Sequence, residues 1–309
     1  MIYILIMINF IFFSGQGNPT ELGDVHWLRS MEEAQVRSKA EKKPILILFQ
    51  EIPGCITCRT YGNEVLSHPL IVETIETYFV PLAIYNNKQG EDAEILRRFN
   101  EPAWNNPVVR IVDEKGNDLT SRLNGNYSPL GLSDMMTNVL IKTLGKAPLY
   151  LQILTDELAA KQKGTTTATY TMYCFWAGEV LFGVVNGVIS TSAGYQEGKE
   201  AVKVEYDPGV ISKSQLDKIA QQSTCKATSG GSFRPDTTPK YYLTNSKYRG
   251  IPMTEIQKCR VNSALADGQN VDVFLSPSQL AFLKISPQKN YVGVSLMEGW
   301  VAAKKKTDR

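Results

Sequence analysis

The stretch FQEIPGCITCRTYGNEVL, residues 49–66, places two cysteines three positions apart, directly after an apolar run. That run, PILILFQ at 44–50, has the length and composition of a buried strand, and the residues after Cys58 favour a helix. A thiol at a helix N-terminus has a lowered pKa, so we expect Cys55 to be substantially thiolate near neutral pH. The spacing lets Cys55 attack a disulfide and lets Cys58 close the ring that releases the product. We interpret Cys55 and Cys58 as a redox pair; a structural disulfide or half of a metal site is the alternative.

The segments around this pair alternate between helix and strand patterns. They predict the order β, α, β, α, β, β, α, with a helix before the first strand and a turn at Lys115-Gly116-Asn117 leading to a hairpin partner. The expected helices lie at 27–42, from Cys58 to about 66, at 70–79 with Pro69 near its start, at 91–100 and at about 132–144. The expected strands lie at 44–50 and 80–86 and from 107 into the turn.

This order, with a C-x-x-C after a strand and Asn106-Pro107 before a later one, resembles the thioredoxin superfamily over residues 25–145. The segment Ile52-Pro53-Gly54-Cys55 also resembles a bacterial thioredoxin-like family named for its VPGUxxT motif, with Cys58 where that motif has threonine. The resemblance implies a thioredoxin fold in which Pro107 is a cis proline that faces the cysteine pair. Pro107 would then contribute backbone hydrogen bonds to substrate binding.

A second region follows a connecting helix, assigned to 146–164, that ends at Gly164. Its patterns predict a small α/β sandwich, with Ser212 as the N-cap of one helix and a flexible Gly- and Ser-rich loop at 226–240. The expected strands lie at 168–173, 188–195 and 201–208, and the expected helices at about 176–186 and 212–222.

The segments CFWAGEVLFGVVNGVISTSAGY, from Cys174, and EAVKVEYDP, from Glu200, resemble methionine sulfoxide reductase A. The resemblance implies that Cys174 attacks a sulfoxide sulfur, that Phe175 and Trp176 hold the methyl group, and that Glu200 helps protonate the oxygen. Two further matching positions, Glu179 and Tyr195, are assigned with them to substrate binding.

Two departures from that family concern the same site. Tyr173 replaces the glycine before the cysteine, and only four residues separate Tyr195 from Glu200, where the family has a longer loop carrying an oxygen-binding tyrosine. The second region is therefore either an active reductase domain or a degenerate module that binds client proteins.

The three unpaired cysteines allow several assignments. Cys225, beside a Gly-rich segment, is expected to resolve the sulfenic acid formed on Cys174. Cys259, inside a helical pattern, is expected to be a buried structural residue, and a static Cys225–Cys259 disulfide is a further option. With two histidines and a single C-x-x-C in the chain, we expect no metal site and no cofactor beyond the redox cysteines.

Composition limits the surroundings in which the protein works. A net charge of +2 over 309 residues gives no reason to expect a nucleic-acid partner. The apolar segment at 1–17 resembles a signal peptide or anchor, which predicts export to the periplasm or cell envelope and membrane contact only through that segment; a buried N-terminal strand is the alternative. The remaining boundaries are a reductase-like domain with a C-terminal extension at 165–300 and a basic tail at 301–309.

These features together predict an oxidoreductase that repairs methionine sulfoxide in oxidised client proteins. The Cys55/Cys58 pair would reduce the Cys174–Cys225 disulfide, and an external thiol donor would then reduce Cys55/Cys58. A general thiol–disulfide oxidoreductase with a client-binding second domain is the first alternative. A pure binding module is the second.

Overall fold

The computed structural model describes residues 18–223, 225–228, 231–285 and 289–304. The expected signal or anchor at 1–17 lies outside this range, as do residues 305–309 of the basic tail. Within the described residues, none of the helices is long and apolar enough to cross a membrane.

The first half is built around a four-stranded sheet in the order β2-β1-β3-β4. Strand β1 runs parallel to β2 and antiparallel to β3, and β3 pairs with the two-residue β4. The strands are β1 (Ile45–Gln50), β2 (Val80–Tyr85), β3 (Val108–Val112) and β4 (Leu123–Asn124), and the helices are α1 (Met31–Glu41), α2 (Ile56–Glu64), α3 (Pro69–Tyr78), α4 (Glu91–Arg98), α5 (Pro129–Leu144) and the connecting α6 (Leu149–Lys163).

Strand β1 is buried along its whole length because both faces of the sheet are covered. One face packs against α1 and α4 through residues such as Ala34 and Leu96. The other packs against α2, α3 and α5 through residues such as Leu70 and Met136. This arrangement brings the C-terminal end of β1, and with it the C-x-x-C, to the edge of the core.

The second half contains a five-stranded sheet in the order β8-β5-β7-β6-β9, antiparallel at each pairing. Helix α8 begins after Ser212 with a capping box, as its sequence predicts. The strands are β5 (Thr166–Thr171), β6 (Val188–Gln196), β7 (Lys199–Tyr206), β8 (Lys226–Thr228) and β9 (Phe233–Pro235), and the helices are α7 (Phe175–Gly183), α8 (Lys213–Gln222), α9 (Tyr241–Thr244), α10 (Glu255–Ala266), α11 (Pro277–Ile285) and α12 (Leu296–Lys304).

The expectation of a flexible loop at 226–240 is corrected by β8 and β9. Each strand is only three residues long and pairs with an otherwise open edge of the sheet, β8 with β5 and β9 with β6. Glycine, serine and proline flank these strands, so the local pattern indicates a loop, while the unpaired backbone groups of the sheet edges favour strands.

One apolar core runs through both halves. Leu66 of the first half and Leu151 of α6 belong to the same buried cluster as Leu243, Val261 and Trp300 near the C-terminus. Two long-range hydrogen bonds reinforce it: the backbone N–H of Ser278 donates to Glu73 (2.8 Å), and that of Ile256 donates to Glu157 (2.9 Å). Residues 301–304, assigned to the basic tail, complete α12.

Replacing Gly62 of α2 with alanine should destabilise the protein despite alanine's better helix propensity. A Cβ atom at this position would overlap the Thr20 carbonyl oxygen and lie 2.8 Å from the Glu21 backbone. Overpacking costs about 1–3 kcal/mol, and contact with backbone atoms, which cannot rotate away, favours the upper part of that range, above the ~1 kcal/mol that alanine gains within a helix. Urea unfolding of G62A and of the control G293A, where the added methyl meets no atom within 4 Å, tests this. Equal midpoints for the two variants would contradict the expected close packing.

Candidate redox sites

The first site is formed where β1 ends and α2 begins. Cys55 is the N-cap of α2 and exposed, whereas Cys58 lies one turn further and is buried. Their sulfur atoms are 3.5 Å apart. The pair is therefore close enough to exchange between dithiol and disulfide with little backbone movement.

The two thiols have opposite pKa shifts. The pKa of Cys55 lies below its ordinary value, chiefly because the backbone N–H of Cys58 hydrogen-bonds to its sulfur. Burial, with a further contribution from the neighbouring sulfur, raises the pKa of Cys58 to about 12. These shifts favour the thiolate at Cys55 and the protonated thiol at Cys58.

The segment before β3 borders the same pair. The Asn106-Pro107 peptide bond is cis, and the Cys58 thiol donates a hydrogen bond of 2.8 Å to Asn106 Oδ1. The sequence reasoning singled out Pro107 but missed Asn106, although the two residues are adjacent. Two exposed apolar side chains, Ile56 (78% exposed) and Trp104 (82%), lie on the same two segments.

The second site is formed where α7 begins. Cys174 is the N-cap of α7 and partly exposed. The backbone N–H of Phe175 donates to Glu200 Oε2 (2.9 Å), so a carboxylate occupies the N-terminal end of the helix next to the cysteine. Glu200 lies opposite Tyr195 in the β6–β7 pairing, which brings both residues to the Cys174 end of the sheet.

Four aromatic rings form a contiguous group behind Cys174. The Phe175 ring lies 5.4 Å from that of Trp176 and 5.3 Å from that of Tyr195, centroid to centroid. Tyr241 stacks on Trp176 at 4.0 Å. We call Phe175, Trp176, Tyr195 and Tyr241 the aromatic cluster. Sequence reasoning missed Tyr241, for which the only signal was the aromatic-rich PKYYL segment.

Glu179 lies in the interior, beneath the aromatic cluster. Its carboxylate accepts hydrogen bonds from the backbone N–H groups of Ala193 (3.2 Å) and Lys240 (3.0 Å), and the Lys240 ammonium lies 3.3 Å from it. The Lys240 ammonium also donates to the Thr191 carbonyl oxygen. Both charged side chains are buried, so Glu179 holds the segment carrying Tyr241 in place.

Cys225 lines the same cavity as Cys174. This cavity measures about 430 Å³ and is bordered by Met172, Tyr173 and the first two turns of α7. Thr171 pairs with Lys226 across β5 and β8, which brings the residues next to them, Met172 and Cys225, to one end of the sheet. Burial raises the pKa of the Cys225 thiol.

Cys259 is buried in α10, where its sulfur lies 3.7 Å from Thr191 Oγ1 and 3.8 Å from the Ile189 carbonyl oxygen. Both contacts are to β6, which is separated from β8 by two strands. At ordinary strand spacing, β6 and β8 are about 14 Å apart. Cys225, directly before β8, is therefore too far from Cys259 for the static disulfide considered above. Cys259 thus occupies the structural position expected of it.

Alkylation should distinguish the two thiols of the first site. Thiolate is the form that reacts with the alkylating agent. The lowered pKa of Cys55 should therefore shift the midpoint of its rate–pH curve below that of a free cysteine. Cys58, whose pKa is raised to about 12, should remain unlabelled up to pH 9. Iodoacetamide labelling of the reduced chain in chelator-containing buffer, with peptide mass mapping, measures both rates. C55S serves as the control, and equal labelling of Cys55 and Cys58 at pH 7 would contradict the assigned order of attack.

Comparison with known proteins finds similarity to a family model and to two groups of proteins. Residues 26–114 match the family model described as Thioredoxin-like. Two solved structures align with parts of the chain: the DsbH oxidoreductase, 18% identical over 41% of this chain and 91% of that one with a TM-score of 0.33, and a thioredoxin from Thermus thermophilus, 21% identical over 38% and 89% with a TM-score of 0.34.

A separate set of relatives matches over shorter stretches. The Drosophila melanogaster peptide methionine sulfoxide reductase is 38% identical over 63 residues, 16% of this chain and 26% of that protein. MsrA of Cronobacter sakazakii is 41% identical over 74 residues, 18% and 35%. The chain thus spans about a quarter to a third of the length of these relatives. It carries a thioredoxin-like domain together with partial homology to the peptide methionine sulfoxide reductases, and these similarities support a thiol-dependent oxidoreductase.

Proposed function

We propose that this chain reduces methionine sulfoxide in oxidised proteins at Cys174 and uses the Cys55/Cys58 pair as its internal reductant. The observation that carries the proposal is the position of Cys174, at the N-terminus of α7 between the aromatic cluster and a cavity shared with Cys225. A nucleophile, an apolar receptor and a second thiol thus occur together.

The aromatic cluster suits the methyl group of a sulfoxide substrate. Sulfur and its methyl substituent are polarizable and interact favourably with ring faces and edges. Phe175 and Trp176 would contact the methyl group, while Tyr241, stacked behind Trp176, fixes the indole plane. The indole N–H of Trp176 is buried and has no hydrogen-bond partner among the described residues, so it is a candidate donor to a polar substrate atom.

Glu200 would supply the proton that the oxygen needs. Cys174 attacks the sulfoxide sulfur, the S–O bond breaks, and the oxygen passes to Cys174 as a sulfenic acid while methionine is released. The hydrogen bond that the Glu200 carboxylate accepts from the backbone N–H of Phe175, the residue after the proposed nucleophile, supports this role. Tyr195, opposite Glu200, is a candidate second donor in place of the missing loop tyrosine.

Cys225 would close the cycle at this site. Its thiol attacks the sulfenic sulfur of Cys174, water leaves, and a Cys174–Cys225 disulfide forms. Cys55 then attacks that disulfide and Cys58 resolves the mixed disulfide, so that two electrons pass from the first site to the second. An external dithiol reduces Cys55–Cys58, and no cofactor is required.

We further propose that the protein acts outside the cytoplasm, in the periplasm or cell envelope. The apolar pattern of residues 1–17 supports this location as a signal peptide or anchor. Its partners there would be oxidised client proteins and a thiol donor, without nucleic acid.

Turnover of a peptide carrying the S epimer of methionine sulfoxide, with dithiothreitol as reductant, tests the proposal. Loss of the nucleophile in C174S should lower the rate at least about a hundredfold, and E200Q should lower it by roughly the same factor because proton delivery fails. C259A, altered at a buried structural cysteine, is the matched control and should retain turnover. A folded wild-type chain that shows no turnover would refute the proposal.

A general thiol–disulfide oxidoreductase is the second candidate, favoured by the exposed Ile56, which follows the exposed Cys55, and by the exposed Trp104 on the segment before β3. Such a surface suits unfolded or partly folded protein clients. Insulin reduction with dithiothreitol should then be unchanged in C174S and should fall to the uncatalysed rate in C55S. An insulin activity equally low in wild type and C55S would exclude this candidate.

A further inference from the structure

We propose that the reduced first site is also a zinc-binding site, formed by Glu51, Cys55 and Cys58 with solvent as the fourth ligand. The sequence spacing offers only the two thiols as ligands, but the turn between β1 and α2 folds Glu51 back toward them. One carboxylate oxygen and the two sulfur atoms all lie within 4.8 Å of one another.

The sulfur geometry matches a tetrahedral zinc ion. Zn–S bonds of about 2.3 Å at the tetrahedral angle place two sulfurs about 3.8 Å apart. The observed separation of 3.5 Å requires an opening of only a few tenths of an ångström. Small side-chain rotations would therefore bring both thiolates to bonding distance of one ion.

Glu51 is available as the third ligand. Its carboxylate makes no hydrogen bond or ion pair in the part of the chain that the structure describes, in contrast to the nearby Glu21, which accepts from the Gly54 N–H (2.8 Å) and pairs with Arg59 (3.4 Å). A free carboxylate beside two sulfurs is a set of donors that zinc accepts.

The fourth coordination position would face solvent because Cys55 is exposed. Binding involves no electron transfer: the Cys58 proton, and the proton of whatever fraction of Cys55 is still a thiol, pass to solvent as the two Zn–S bonds form. The disulfide form has no thiolates to offer, so zinc binding and oxidation of the pair exclude each other. Bound zinc would protect the dithiol from oxidation and block its attack on disulfides.

Competition against a chromophoric zinc chelator, with the full-length chain reduced by a phosphine, tests the site with Zn²⁺ alone. We expect one zinc ion per wild-type chain, an affinity at least tenfold lower in E51Q, and no stoichiometric binding in the C55S/C58S variant or the oxidised wild type. The control is E64Q, which alters an exposed carboxylate at the end of α2 and should bind as wild type does.

Two results would overturn the assignment. Stoichiometric binding that persists in C55S/C58S would place the metal elsewhere, and an E51Q affinity equal to wild type would remove the carboxylate from the ligand set. The absorption spectrum of the Co²⁺-bound chain gives a second measurement. Its sulfur-to-cobalt charge-transfer band should be retained in E51Q and lost in C55S/C58S. The measurement needs no sulfoxide activity, so its outcome is separate from that of the proposed function.

Discussion

The buried ion pair between Glu179 and Lys240 is the contact on which the second site depends. Removing one partner of such a pair leaves an uncompensated buried charge and costs about 3–5 kcal/mol. Here the pair also fixes the backbone at Lys240, because the Glu179 carboxylate accepts hydrogen bonds from both the backbone N–H and the side-chain ammonium of Lys240. Lys240 adopts a left-handed φ of 51°, which turns the chain so that Tyr241 reaches Trp176. The ion pair thus helps to position Tyr241, the member of the aromatic cluster that lies outside α7 and β6.

The first site relies on a difference in exposure rather than on a charge pair. Cys55 faces solvent at the N-terminus of α2, where backbone N–H groups stabilise its thiolate, whereas Cys58 is enclosed and donates to Asn106. A disulfide approaching from solvent can therefore reach only Cys55. In the proposed cycle, Cys58 acts once Cys55 is bonded to the substrate, so that release is an intramolecular step.

Much of this arrangement could be predicted from the sequence because its determinants are local. The strand, the C-x-x-C and the following helix lie within about twenty residues, and Cys174, Phe175 and Trp176 are consecutive. The parts that escaped prediction depend on distant pairing. Lys240 is 61 positions from Glu179. Strands β8 and β9 are stabilised by hydrogen bonds to the edge strands β5 and β6, which the local sequence does not reveal. Glu51 is close to the cysteines in sequence, but the residue pattern does not predict that its carboxylate lies near their sulfur atoms.

The apolar core shared by the two halves has a consequence for how the protein loses its structure. Leu66, Leu151 and Trp300 belong to one buried cluster that crosses the boundary suggested by the sequence, so the two halves share part of their interior in addition to the clusters that lie within a single half. Regions of one chain that share a hydrophobic core tend to unfold cooperatively. The Cys55/Cys58 site and the Cys174 site should accordingly lose their structure in a single cooperative unfolding transition. A destabilised molecule would then lose both sites at once, without an intermediate in which one site is folded and the other is not.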